Sequence, residues 1–554
     1  MLPTCLNSNL KLYEIGEPTR DLAQKLSCSE LTAAILEMSH ENKFQDIERA
    51  REWLKPQFEE LMNNLNLGAS SYEAAKKWRS KNSFGNVVVY GDYDVDGVAS
   101  TVLAMEIFRH KALGVRYFIP RRDTQGYGLH ASILERLTEG GCNTLVVVDC
   151  GTNDFELLRS FEQKGLDVFV FDHHSVSKAL TYFPPVINPC VDGDDTARKL
   201  CATAVLWSWA WKEEVVSRQW LSYMLDIVAM ATISDCMPLN VLNRSIVQKG
   251  IELMKRNPRR GLAALFEKLG IAPHTISEEH LSMKIIPCLN APGRIGCADL
   301  SVRALMGVGE LHANVNDLIK SNKKRQVISE RIASKVCEAE SAGRYVMFDD
   351  TWPVGVLSGV ASRICSARRS PVVLAAPIKD KIRGTVRVPA GGDAVGILST
   401  ISDQLEAWGG HRYAAGFSVS PDHWPDVEDR LEKLLSEIEV EEELIKAVAL
   451  PPAEITLSDW KAAGDLGPFG NDNPRPYFYA AKNGSDKIVP LGKDGKHCSV
   501  LIDAVKNLKI LAFNAAPDLK DTSDIVGWIY HPRIDHWRNE ERVQFVLDYT
   551  VLAK

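Results

Sequence analysis

No two of the twelve cysteines in this chain stand in a Cys-x-x-Cys spacing. That excludes a zinc ribbon built from such pairs. Scattered single thiols also argue against a disulfide framework and for a reducing, cytoplasmic compartment. No apolar run approaches the roughly 18 residues of a membrane span, so no membrane segment is expected. The opening Met1-Leu-Pro-Thr-Cys-Leu-Asn7 has no basic stretch followed by an apolar one, so no secretory leader is expected. Internal repeats and low-complexity tracts are missing, which excludes a solenoid. The chain also lacks a basic excess, its formal net charge being -7. Bulk charge does not decide nucleic-acid binding, which follows local patches. Basic clusters occur at Arg121-Arg122, Lys255–Arg260 and Lys320–Arg325, each of which also reads as a solvated helix end. With 554 residues, three or four domains of about 150 residues each are expected.

What is present begins with short apolar runs that end on acids. Val87-Val-Val-Tyr90 leads into Gly91-Asp-Tyr-Asp-Val-Asp-Gly97. Thr144-Leu-Val-Val-Val148 leads into Asp149-Cys-Gly-Thr152, and Val168-Phe-Val-Phe171 into Asp172-His-His174. Runs of this length, rich in β-branched and aromatic residues, read as buried parallel strands. Another strand at Val115–Ile119 and helical patterns from Val98, from Ala131 and after Asp154 complete the alternation of a helix-covered parallel sheet. In open α/β sheets the ligand crevice lies past the carboxyl ends of the strands, so these side chains are expected to meet there. A further acid, Asp235, follows an apolar segment that begins at Leu225. Asn153 reads as a helix N-cap, with Glu156 at the capping-box position. Gly97-Val-Ala-Ser-Thr101 opens a helix whose N–H groups either face a phosphate or merely turn the chain.

Asp92, Asp94, Asp96, Asp149, His173 and Asp235 thus form a mixed oxygen and nitrogen ligand set. It suits Mn²⁺ or Mg²⁺ better than a closed structural zinc site. Clustered carboxylates raise one another's pKa unless cations neutralise them. Helix-capping aspartates beside a surface histidine pair would explain any one of these residues, but not the constellation. Two divalent ions about 3.5–4 Å apart would clamp both oxygens of an in-line displacement at phosphorus. Spacing alone therefore points to a two-metal phosphoesterase.

The ordered motifs GDYDVDG, DCGT, DHH and SDCMPL are followed by Leu289-Asn-Ala-Pro-Gly-Arg294, by Trp408-Gly-Gly-His-Arg-Tyr-Ala-Ala-Gly416 and by Pro468-Phe-Gly-Asn-Asp-Asn-Pro474. Together they resemble the DHH phosphoesterase superfamily and, within it, the RecJ family of exonucleases, from about residue 85 to 554. The resemblance implies a metal-dependent enzyme that degrades single-stranded DNA from the 5′ end to mononucleotides, in DNA repair and recombination. It implies that Asp94 and Asp96 each bind one of two Mn²⁺ or Mg²⁺ ions, that Asp149 bridges them, and that His173 and Asp235 complete the second ion's shell. Asp92 and Asp172 are ligands or orienters, Asp172 holding an imidazole in its metal-binding tautomer. His174 faces the phosphate as donor or as proton source for the leaving group. Arg294 reaches the scissile or 5′-terminal phosphate from a short loop that Asn290 positions. Arg122 contacts phosphate. Ser362, Arg363, Arg387, Gly410 and His411 bind the strand through a second domain, although so many small residues near His411 also suit tight strand–helix packing. One departure is that Trp352-Pro-Val-Gly355 lacks a histidine expected between the Trp and Pro positions. The implied partners are single-stranded DNA, a single-strand-binding protein and a helicase, with the chain a monomer.

The organisation expected is α/β throughout its first and largest part. Residues 1–80 read as a helical region without chemistry, and 81–310 as the parallel-sheet catalytic domain. Residues 311–342 read as one long charged connecting helix, with no Gly or Pro before Gly343. Residues 343–445 read as a second α/β, DHH-associated domain. Short strands dominate 450–554, where the resemblance implies an OB-like β-barrel. Tyr477, Phe478, Trp528 and Trp537 there either stack on bases or pack the core. Two rival functions are a phosphodiesterase for short oligonucleotides or cyclic dinucleotides and a non-enzymatic replication scaffold. The C-terminal barrel argues against the first, and the complete set of acids and histidines against the second.

Overall fold

The chain opens with two short strands, β1 (Thr4–Leu6) and β2 (Leu10–Tyr13), in a region expected to be helical. The computed structural model describes residues 4–6, 9–39, 46–121, 128–176, 186–340, 343–492, 495–503, 507–516, 519, 522–537 and 540–553. Helices follow at Glu17–Leu26, Glu30–Ser39, Ile47–Leu54, Phe58–Asn64 and Ala69–Ser80. The two strands pair with partners more than 400 residues away, a distance at which local periodicity carries no signal.

The first sheet comprises β3 (Asn86–Tyr90), β4 (Gly114–Phe118), β5 (Thr144–Val148), β6 (Asp167–Phe171) and β7 (Val186–Ile187). Its order is β4-β3-β5-β6-β7 and every pair is parallel. The side chains of β3, β5 and β6 alternate between two cores. Val87, Val89, Val146, Val148, Phe169 and Phe171 pack toward α1 (Val95–Phe108), α2 (Ala202–Lys212) and α3 (Leu225–Ser234). Val88, Tyr90, Leu145, Val147, Val168 and Val170 pack toward Leu134, Leu158 and Phe161 on the opposite face. Burial on both faces explains why these runs are apolar throughout. α1 is itself covered on nearly every side, so it shows no polar face.

After α4 (Val241–Arg256), the Leu289–Arg294 segment departs from expectation. It lies inside a helix, α5 (Ile286–Ile295), not in a short loop. Pro292 stands within that helix, and a π-helical turn at Leu281–Ile285 precedes it. Tertiary packing overrides the breaker signal: a side chain on Gly293 would meet the Tyr93 carbonyl at 2.1 Å. The long helix α6 (Leu311–Glu340) then leads to the second sheet.

That sheet holds β8 (Val346–Phe348), β9 (Val372–Ile378), β10 (Lys381–Arg387), β11 (Ala407–His411) and β12 (Ala414–Val419), in the order β11-β12-β10-β9-β8. Val372, Leu374 and Ala376 of β9 face α7 (Val354–Arg368) and α6. Val373 and Ala375 face α8 (Trp424–Ser436).

The C-terminal strands are β13 (Ile445–Ala449), β14 (Phe478–Ala481), β15 (Lys487–Leu491), β16 (His497–Asp503), β17 (Leu508–Ala512), β18 (Ile525–Trp537) and β19 (Glu540–Leu552). They run β15-β16-β17-β19-β18-β14-β13 and continue onto β2, which pairs with β13 from Leu10↔Ile445, while β1 pairs with β19. Phe478 and Trp528 are fully buried core and not a surface for bases. Tyr477 packs edge-on to Tyr549 at 5.6 Å, and the Trp537 side chain lies outside the described residues. No helix among the described residues is long and apolar enough to cross a membrane.

Candidate metal centre

The carboxyl ends of β3, β5 and β6 are adjacent, and each continues into an acid. Ligand atoms of Asp92, Asp94 and Asp149 lie within 4.8 Å of one another, as do those of Asp96, His173 and Asp235 and those of Asp149, His173 and His174. His173 sits among three of the acids. Its Nε2 is 3.4 Å from Asp149 Oδ1, 3.5 Å from Asp235 Oδ2 and 3.9 Å from Asp96 Oδ2. The structure thus brings together all six residues expected to hold metal.

Each acid is placed by its own device. Asp94 caps α1, accepting from the Gly97 N–H at 3.0 Å, so the N–H groups of that turn are engaged within the protein and do not form an open phosphate cradle. Gly97 has no side chain because a Cβ there would meet the Asp92 backbone at 2.6 Å. Asp96 is held by the start of α2. The Ala202 and Thr203 N–H groups donate to it at 2.7 and 2.9 Å, and the Thr203 hydroxyl at 2.6 Å. Thr203 belongs to none of the motifs singled out in the sequence. Asp149 adopts a left-handed backbone with φ 61, which costs an L-residue about 1–3 kcal/mol. Asp235 ends α3, at the negative pole of the helix, where a carboxylate is disfavoured unless a cation compensates.

Asp172 joins none of the groups of ligand atoms found among the described residues. Its buried carboxylate accepts from the N–H groups of Thr152, His173 and His174 and pairs with His174 Nδ1 at 2.7 Å. The imidazole it orients is that of His174. Asn188 ties the same loops together, donating to the Thr152 hydroxyl and the His174 carbonyl, both at 2.9 Å. Asn153 is no N-cap: its amide donates to the Ser175 carbonyl, and a 3-10 turn at Thr152–Asp154 precedes the Phe155–Glu162 helix.

The clustered acids oppose one another's ionisation. Burial, then Asp96, Asp94, Asp92 and Asp235, push Asp149 well above the carboxylate range. Burial, then Asp96 and Asp94, push Asp235 up to about 8. Burial depresses His173. Burial opposes the charge on Asp172, but the His174 hydrogen bond and charge outweigh it and hold Asp172 well below the usual range. Burial likewise opposes protonation of His174, but Asp172 raises it to about 9. Adjacent buried carboxylates that cannot all ionise, in a donor set of oxygens and imidazole nitrogens, fit divalent Mn²⁺ or Mg²⁺.

Asn290 frames the centre. Its Oδ1 accepts the Val95 N–H at 3.0 Å and its Nδ2 donates to the Ser234 hydroxyl at 3.2 Å, joining the acidic loop to the helix that ends in Asp235. It also lines a cleft of about 250 Å³ between α5, α6 and α7, together with Arg294, Arg325, Ser329 and Arg363. No carboxylate stands among the described residues lining this cleft. Arg325 was expected only within a basic cluster.

Ser362 and Arg387 lie elsewhere in the second domain. Arg387 Nε donates to the Ser362 hydroxyl at 2.8 Å, and its other nitrogens donate to Ser358, Thr385 and the Val386 carbonyl. His411 and Arg387 both pair in register with Ala414 from its two neighbouring strands, so they share one face of the sheet. Gly410 has φ 150 on the exposed edge strand β11, and a Cβ on Gly409 would meet no atom within 4 Å. Tight helix packing therefore does not explain the glycine at 409. Arg122 falls outside the described residues.

Three family models match: the DHH family, N-terminal domain over residues 86–232, the DHHA1 domain over 338–439 and the RecJ OB domain over 447–549. The chain is 26% identical to the single-stranded-DNA-specific exonuclease RecJ of Bacillus subtilis (strain 168), over 97% of this chain and 70% of that protein. It is 31% identical to the protein of the same description from Thermus thermophilus, over 77% of this chain and 62% of that one. The fold is similar to the crystal structure of RecJ in complex with Mn²⁺ from Thermus thermophilus, with TM-score 0.78, 23% identity, 98% of this chain and 79% of that chain.

Proposed function

This chain belongs to the RecJ branch of the DHH family, and on that premise we propose that it is a two-metal exonuclease that hydrolyses single-stranded DNA from the 5′ end to mononucleotides. The observation that carries this reading is the pair of adjacent ligand triads, Asp92–Asp94–Asp149 and Asp96–His173–Asp235. Each triad would hold one Mn²⁺ or Mg²⁺, with Asp149 close enough to His173 to serve both. Bound divalent ions supply Lewis-acid polarisation of the phosphate and lower the pKa of water toward neutrality.

The chain's own residues do the rest. His174, fixed through Nδ1 by Asp172, offers its other nitrogen to a phosphate oxygen or to the leaving oxygen. A proton at that nitrogen is favoured because Asp172 stabilises the imidazolium. Arg294, with Arg363 and Arg325 beside it, forms a guanidinium-lined cleft that suits a terminal phosphate, and bidentate geometry favours such contacts. Because Asn290 belongs both to that cleft and to the frame of the acids, a phosphate held there lies next to the reacting bond. The strand continues over the face shared by Arg387 and His411, past Gly410 and Ser362. Arg122 contributes a further phosphate contact.

The chain works as a monomer in the cytoplasm, in repair and recombination, on strands opened by a helicase and covered by a single-strand-binding protein. Digestion of a 5′-labelled and a 3′-labelled single strand with Mn²⁺, Mg²⁺ or chelator tests this. The 5′ label should be released first as mononucleotide, and only with metal. Cleavage restricted to oligomers of a few nucleotides, or unaffected by chelator, would overturn it.

A further inference from the structure

We propose that Asn471, in the Pro468–Pro474 loop of the C-terminal domain, is a positioning residue for the metal ligand Asp235. The inference rests on the two-metal reading of the site. Asp235 differs from its fellow acids. Asp96 is gripped by three donors from α2 and Asp94 by the turn it caps. The Asp235 carboxylate lies 3.5 Å from His173 and close to Asp96, with no backbone N–H donor to it among the hydrogen bonds of the described residues. The backbone of Asp235 is set by the helix end before it, where its N–H donates to the Ala231 carbonyl at 3.0 Å, and by the turn that follows.

That backbone turns sharply. Cys236 N–H donates to Ile233 O and Met237 N–H to Thr232 O, both at 3.1 Å, closing a helix end of the kind that usually places glycine in the left-handed region. Here Cys236 occupies that position with φ 52. Asn471 grips the turn at two points. Its side-chain Nδ2 donates to the Cys236 carbonyl at 2.8 Å, and its own carbonyl accepts the Leu239 N–H at 2.8 Å.

The clamp is itself rigid. Gly470 and Asn473 exchange backbone hydrogen bonds of 2.8 and 3.2 Å across the loop. Buried Asn473 donates to the Leu466 and Pro468 carbonyls. At the loop's root, Arg244 from α4 donates to the Asp465 and Gly467 carbonyls while lying 4.1 Å over the Trp53 ring. Gly470 approaches so closely that a Cβ would stand 2.9 Å from Leu239. A fixed loop of one domain thus holds the strained turn that aims a metal ligand of another.

The test is Mn²⁺ titration of the full chain and of its Asn471→Ala and Asn471→Asp variants, by calorimetry and by the resonance of free Mn²⁺. Asn471 is solvent-exposed and both variants keep the loop's backbone bonds, so thermal melting of the metal-free proteins should be unchanged. Residues that orient a ligand cost about 10–100-fold in metal affinity when removed. One of the two Mn²⁺ sites should weaken at least about tenfold in both variants. The Mn²⁺ concentration for half-maximal cleavage should rise accordingly, and the rate should recover at saturating Mn²⁺. Two sites of unchanged affinity, or a rate deficit that persists at saturating Mn²⁺, would overturn the proposal. Failure of the unsubstituted chain to take up Mn²⁺ would instead overturn the two-metal reading.

Discussion

Asp172 Oδ1 stands 2.7 Å from His174 Nδ1 and also accepts the His174 backbone N–H at 3.2 Å. One buried carboxylate therefore fixes both the path and the ring orientation of the residue after His173, a proposed metal ligand. Replacement by an amide keeps the size and removes the charge. Asp172→Asn should lower the cleavage rate about 10–100-fold, with strand binding retained, as measured by single-turnover kinetics beside a binding assay. A wild-type rate would remove His174 from the chemistry.

Gly293 touches the acidic loop through space that a side chain would fill, since its Cβ would lie 2.1 Å from the Tyr93 carbonyl. Gly293→Ala should displace the segment that carries Asp92 and Asp94. The expected result is weaker Mn²⁺ uptake and loss of most cleavage, with the C-terminal and second domains still folded. Calorimetric metal binding checks it.

Arg294 lines the guanidinium cleft. A hydrogen bond to a charged group contributes about 1.5–3 kcal/mol, which corresponds to roughly 10–100-fold in binding. Arg294→Ala should therefore weaken use of a 5′-phosphorylated strand about tenfold or more while changing a 5′-hydroxyl strand far less. A side-by-side kcat/KM comparison on the two strands decides it.

The metal-free protein should lose stability as pH rises from about 7 to 9. Asp149 and Asp235 are raised, the latter to about 8, so the folded chain keeps protons that the unfolded chain has already released. Where the native state binds more protons, stability falls with pH. His174, raised to about 9, acts in the same direction: its contribution is complete below the ordinary histidine value and is lost through about 9. Depressed His173 and Asp172 titrate below this window and do not oppose the trend. Melting in chelator across this range should show the fall, Asp235→Asn should flatten it, and Mn²⁺ should stabilise most at the alkaline end.

The strands were legible because Val87–Tyr90, Thr144–Val148 and Val168–Phe171 are buried on both faces and therefore continuous in sequence. The acids at their tips followed from the general rule for parallel sheets. The frame around them was not legible. Thr203 reaches Asp96 across 107 residues, and Asn290 reaches Val95 across 195. Asn188 likewise serves Thr152 and His174 from a segment with no motif of its own. Pro292 and Gly293 read as a loop because both are helix breakers, whereas the packing of Gly293 on Tyr93 is invisible to local pattern. β1 and β2 found partners at the other end of the chain, which no local pattern announces.

Diffraction from crystals grown with Mn²⁺, collected at the manganese absorption edge, tests the central claim most directly. The account predicts two anomalous peaks about 3.5–4 Å apart, one among Asp92, Asp94 and Asp149 and the other among Asp96, His173 and Asp235. A single peak, or peaks away from these side chains, would contradict it.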